Sequence, residues 1–263
     1  MSDKTPNSSM AMLWFFLMTT VYFMCNYSMK TSDNSLGLFF YISIVLIVEG
    51  IVNYGVISKI CTGASNNSQF TNAFMVTTIP WLLIFAVFTL LLKIFPGWLG
   101  PFSNTFGYAV VNMLGLSKLI PKIFKQISDN GGDNDKHDIN FKQIQQALAQ
   151  IYGNQSLLIN QITPSNFEKF WESSKILIQK DVFVNNPLKG ELSNYVTIKN
   201  MISEYIWYIL IGSIVTTTSY NFIININCNK SSAQLQSEND DSTKENSETT
   251  DANVQPAYGS VGI

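Results

Sequence analysis

The chain has 263 residues, of which 46% are hydrophobic and only 13% charged, and its formal net charge is -2. Soluble domains carry roughly 25% charged residues, and a chain this close to neutral lacks the basic footprint of nucleic-acid binding. Composition therefore excludes a nucleic-acid partner and points to a membrane protein.

A membrane-spanning helix needs about 20 mostly apolar residues, and four stretches qualify. After a short N-terminal tail (1–9), residues 10–26 carry no charge. That stretch could be a signal peptide. Its long apolar run, weakly basic start (Lys4 against Asp3) and lack of a small-residue cleavage site favour an uncleaved helix. Residues 36–58 are interrupted only by Glu49, and residues 72–95 carry Lys93 at their far end. The fourth stretch lies within 204–226 and starts at Tyr205. Four crossings put both termini and the loop 59–71 on one side, with 27–35 and the long loop 96–204 on the other. Flanking lysines slightly favour a cytoplasmic long loop. Cys61 and Cys228 fall just past membrane ends on the same side. They can pair if that side is oxidising, be acylated if it is cytosolic, or remain unrelated thiols.

Residues 96–127 read as a membrane-interface elbow followed by an amphipathic helix. Pro96 and Gly97 break the third span, and Pro101 keeps it from resuming. Trp98, Phe102 and their aromatic neighbours suit the headgroup layer. Ser103 or Asn104 can cap a new helix, with Phe106, Val110, Met113 and Leu114 on one side and Gly107 permitting close backbone approach. The elbow is expected to turn the chain along the bilayer surface. Residues 118–127 then place Ile120, Ile123, Phe124 and Ile127 at helical spacing, with Lys118, Lys122 and Lys125 on other faces. This predicts a basic interfacial helix; the alternative is a helix packed on the rest of the loop.

Residues 128–138 read as an acidic, flexible hinge. A calcium-loop pattern starting at Asp133 fails, because Asp138 and Ile144 stand where Gly and Glu are needed. Residues 139–203 read as a small helical module. One helix, capped by Asn140, carries Phe141, Ile144, Leu148 and Ile151 and stops at Gly153. A second opens at Ser165–Glu168 as a capping box and runs to about Lys180. A third, from Ser193, can continue unbroken into the fourth span. About 60 residues are few for an independent core, so the module should lean on the membrane part or a partner. The composition of residues 227–263 predicts a polar, disordered tail.

Glu49 is the one acid deep in a span, about 15 Å from the membrane end near the termini. Asn53 shares its face, and Thr19 and Thr20, Thr77, Thr78 and Pro80, and Thr216, Thr217 and Thr218 fall at similar depth, with Thr77, Pro80 and Thr217 taken as members of the layer. Pro80 frees the carbonyl of Val76, and a protonated Glu49 could donate to that carbonyl or to a threonine oxygen. This intramembrane polar layer is either glue between helices or a proton or cation pathway. The chain lacks CxxC, HExxH, P-loop and GxSxG patterns. The expectation is therefore no enzyme, no cofactor and no metal site.

The stretch "FPGWLGPFSNTFGY" (95–108), directly after a span, resembles a motif in multi-pass membrane proteins of the nucleocytoplasmic large DNA viruses of amoebae and algae. The lysine-only, Asn-rich composition suits an AT-rich genome of that kind. The resemblance implies a structural or assembly protein of the virion's internal membrane or a host intracellular membrane. Its partners would be the bilayer, other virion membrane or capsid proteins, and a further copy of itself. A small channel or transporter built on the Glu49 layer is the alternative. The expected fold is an all-α membrane protein: four transmembrane helices, interfacial helices and a small helical loop module.

Overall fold

The computed structural model describes residues 9–29, 35–127, 139–184, 187–226 and 228. The expected hinge (128–138) and the tail from 229 onward lie outside the described residues. The fold is all-α, with a single isolated bridge, Phe124 to Ile178, among the described residues. Four helices are long and apolar enough to cross a membrane. They are α1 (Ser9–Met29), α2 (Leu36–Ile60 in its apolar extent), α3 (Asn66–Ile94) and the last helix, Pro187–Ile224.

In chain order the elements between α3 and the last span are short. Pro96–Leu99 is a 3-10 turn. Helix α4 is composite: Gly100–Phe102 and Tyr108–Leu114 flank a π-wound segment, Ser103–Gly107. Then come α5 (Leu116–Ile123), α6 (Ile139–Gly153), α7 (Gln155–Gln161), α8 (Phe167–Ser173), α9 (Lys180–Val184) and α10 (Pro187–Ile224). Proline opens α10, where its missing N–H costs no hydrogen bond. At 1.5 Å per residue a helix of 38 residues is about 57 Å long. That is nearly twice the thickness of a bilayer's hydrocarbon core, so the N-terminal half of α10 stands clear of the membrane.

The four spans pack as a square. α1 and α3 each contact both α2 and α10, which leaves α2 and α10 diagonally opposed. Each helix buries a stripe at spacing of about four: Ala11, Phe15, Thr19 and Phe23 on α1, and Tyr41, Val45, Glu49, Asn53 and Ile57 on α2. Leu13, Phe39, Ile47, Leu83 and Phe222 point outward and are exposed, as lipid-facing side chains should be, since lipid solvates them as well as protein does. Pro80 cannot bond back to Val76, and just past it α3 widens into a π turn, Trp81–Ala86.

The extramembrane core gathers Leu119, Ile123, Leu148, Ile159, Trp171 and Leu192 with their neighbours. The small module thus leans on α5 and on the upper half of α10. Its expected capping box is not formed. Asn166 precedes α8, and its side-chain oxygen instead accepts from the N–H of Thr163 at 2.7 Å. The helix expected to reach Lys180 stops at Ser173, and the segment beyond turns to pair residues 177–179 with 123–125. Lys125 N–H donates to Leu177 O at 2.9 Å, and Gln179 N–H to Ile123 O at 3.0 Å.

Candidate functional site

Two regions hold the residues singled out by sequence, and the first is the polar layer inside the bundle. Its register follows from observed pairs. Cys61 on the α2 side is disulfide-bonded to Cys228 beyond α10, a sequence separation of 167, with Cα atoms 5.5 Å apart. Tyr41 and Tyr208 pack ring to ring, and Ile57 shares a cluster with Ile223. A nearly constant offset along α2 and α10 shows that the two helices run in the same direction. It sets Glu49 level with Thr216. Asn53 Nδ2 donates to Thr77 Oγ1 on α3 at 2.8 Å, so one turn back along α2, Glu49 lies level with Pro80 and Trp81.

Glu49 is 1% exposed, and neither carboxyl oxygen has a hydrogen-bond partner. The expected bond to Val76 or to a threonine is not made. Thr216 and Ser219, also buried, leave their hydroxyl oxygens unpartnered, as does the indole N–H of Trp81. Several other hydroxyls in the spans donate to their own helix four residues back, as Thr20 does to Phe16 O and Thr218 to Ile214 O, both at 2.8 Å. Thr217 does likewise toward Ser213 and is exposed. It therefore does not belong to the layer; its neighbour Thr216 does. Within a run of three threonines, only the packing register decides which one faces inward.

Thr19 and Thr20 also leave the layer. Thr19 Oγ1 is bonded to Tyr41 Oη at 2.8 Å, and Thr20 Oγ1 to Tyr205 Oη at 3.1 Å. Both lie about two helical turns from Glu49, toward the long loop. An aromatic-rich cluster, Phe15, Tyr41, Trp81, Phe85 and Tyr208 among its members, fills the bundle on that side. On the terminal side Ile57, Cys61, Ala73 and Ile223, from α2, α3 and α10, pack as a second cluster. Glu49 is thus held between two packed layers.

The second region is the elbow. Pro96 does end the third span, but Pro101 has the opposite effect from the one expected. It sits in the first turn of α4 and helps start that helix. Ser103 and Asn104 cap nothing; Ser103 is buried within the π segment and Asn104 is exposed. Leu99, Ser103, Gly107 and Val111 form the buried stripe, while Phe106, Met113 and Leu114 are exposed. The rings of Trp98 and Phe102 each lie 6.0 Å from that of Trp207. Farther along, Gly107 abuts the Lys199 backbone and Tyr195 Oη donates to Leu114 O at 3.0 Å. α4 therefore climbs antiparallel to α10, away from Trp207 at the base of its extramembrane half, instead of running along the bilayer surface. Gly107 is what permits this: a Cβ there would sit 2.5 Å from Lys199 O.

Compared with known protein families, with characterised proteins and with solved structures, the chain matches none.

The basic helix is also relocated. α5 ends at Ile123, short of the expected 127, and buries Leu116, Leu119, Ile120 and Ile123 in the extramembrane core. Its amphipathic face meets protein, not headgroups. Lys118 and Lys122 are exposed, and Lys125 Nζ donates to Ile176 O at 2.7 Å. A residue that sequence reasoning missed is Lys199. It is 1% exposed, and its ammonium donates to Ile159 O at 2.6 Å. It thereby joins α10 to α7 at the level where α4 passes. Among the described residues no group of three or more His, Cys, Asp or Glu side chains could hold a metal ion.

Proposed function

We propose that this chain is a structural or assembly protein of a virion's internal membrane, which fixes a small helical module rigidly to a four-helix bundle and presents it to capsid or other membrane proteins. The observation that carries this reading is the continuity of α10. One unbroken helix contributes Leu192 and Val196 to the extramembrane core and Tyr208 and Val215 to the bundle core. A module so fused to its anchor transmits position, which is what a scaffold does. The viral assignment rests on the resemblance over 95–108 and on the lysine-only, Asn-rich composition.

The Cys61–Cys228 bond orients this scaffold. Disulfides persist in oxidising compartments, so the face bearing the termini is the luminal or exterior one and the module is cytoplasmic. The flanking lysines agree. The channel reading draws on the buried Glu49, but the packed layers on either side of it favour an anchored scaffold over a conducting path. The deciding experiment is detergent fractionation of purified particles followed by mass spectrometry. The chain should remain with the membrane fraction at a copy number comparable to capsid components. Its absence from particles would refute the structural reading, and ion flux through liposomes holding the pure chain would favour the channel.

A further inference from the structure

Glu49, Thr216 and Ser219 pose a problem that neither glue nor scaffold resolves. Interhelical polar residues stabilise a bundle by bonding one another, as Asn53 and Thr77 do. These three do not: each is no more than 2% exposed, and four oxygen atoms go without a partner. An unpaired polar group buried in an apolar interior costs free energy, and buried polar atoms left unsatisfied call for an explanation. For the two hydroxyls a bond to the helix's own backbone is the ready remedy. Thr217 and Thr218 take it, but Thr216 and Ser219 do not. Their lone pairs stay free on the buried side of α10, diagonally across the square from α2.

These atoms have the chemistry of a hard-cation site: one carboxylate and two hydroxyls, all oxygen donors. The level of Glu49 and Thr216 is close to mid-bilayer, about eleven residues or 16 Å from the end of α2, and Ser219 lies about 4.5 Å nearer the terminal side. The charge selects the valence. One carboxylate neutralises one positive charge, whereas a divalent ion would leave a net charge in the middle of the membrane, where charge is costly. The helix beside the site is continuous but changes its winding there, with Pro80 and the π turn Trp81–Ala86 at the same level. π turns inside helices recur at functional sites. Trp81 N–H, unpartnered at this level, is a donor suited to a carboxylate oxygen not engaged by the ion.

We propose that the bundle binds one monovalent metal cation, occluded between its two packed layers and ligated by the Glu49 carboxylate and the Thr216 and Ser219 hydroxyls. The inference is independent of the viral reading and of where the module points.

The test uses the full chain in detergent, melted at one pH and one ionic strength in sodium, potassium or N-methylglucamine chloride. A metal cation should raise the melting temperature in a saturable way, and the bulky organic cation should not. Glu49→Gln should remove the dependence. Thr216→Val and Ser219→Ala should each raise the half-saturating concentration by about tenfold, the loss expected for one charge-assisted contact. If Glu49→Gln does not fold, these two milder variants still carry the test. Identical melting in all three salts would overturn the proposal and leave a protonated carboxyl as the occupant. A salt dependence that survives in the hydroxyl variants and in Glu49→Gln would overturn it equally, because the ion would then bind elsewhere.

Discussion

Replacing Gly107 with alanine probes the junction on which the scaffold depends. The new Cβ would lie 2.5 Å from Lys199 O and 2.9 Å from Lys199 Cγ, where ordinary contact begins at 3.4 Å. One of the two helices must yield by about 0.9 Å. α10 is held at that point by the bond from Lys199 Nζ to Ile159 O, so α4 is the one to move. Overpacking of this kind costs about 1–3 kcal/mol. Gly55→Ala, in the interior of α2, is the control, since a Cβ there meets nothing within 4 Å. Both variants gain about 0.5–1 kcal/mol from replacing a helical glycine, so the difference between them reports the collision. At roughly 2–4 °C per kcal/mol for a chain of this size, Gly107→Ala should melt about 2–12 °C below Gly55→Ala in a tryptophan-fluorescence thermal scan. Equal melting temperatures would show that α4 does not pass α10 at this point.

Two further substitutions address the same junction. Exchanging Trp98 and Phe102 for serine removes the rings beside Trp207. All four spans should still insert, while protease should cut the long loop faster than in the parent; unchanged cleavage would count against the elbow. Lys199→Met keeps the buried stem but strips the donor from Ile159 O, at a cost of about 1–3 kcal/mol for the orphaned carbonyl. Amide hydrogen exchange should then quicken in Gln155–Gln161, and protection equal to the parent's would show that the bond does not hold that helix in place.

Much of this architecture is legible in the residues. The spans announce themselves because long apolar runs have few other physical meanings, and Glu49 is conspicuous because acids are rare in them. Direction and register are not legible. The helical spacing of Leu119, Ile120 and Ile123 shows that one face is apolar but not whether lipid or protein covers it. Thr216 and Thr217 are equivalent until α2 and α10 are aligned. The turn of the elbow depends on Gly107 meeting Lys199, a contact between residues 92 positions apart that no local pattern encodes. The capping box at Ser165 is a valid local signal that lost to a competing turn, in which Thr163 and Asn166 bond each other.

The bond between Cys61 and Cys228 has a topological consequence as well. With it in place, α3, the elbow, the module and α10 belong to one closed covalent ring, and α1 and most of α2 precede it in the chain, outside the ring. A single backbone cut anywhere in the long loop opens the ring without separating its parts. The two pieces stay joined on the far side of the membrane until a reductant crosses to it. A protease acting on the module's face could therefore unlatch the module and leave the anchor in one piece.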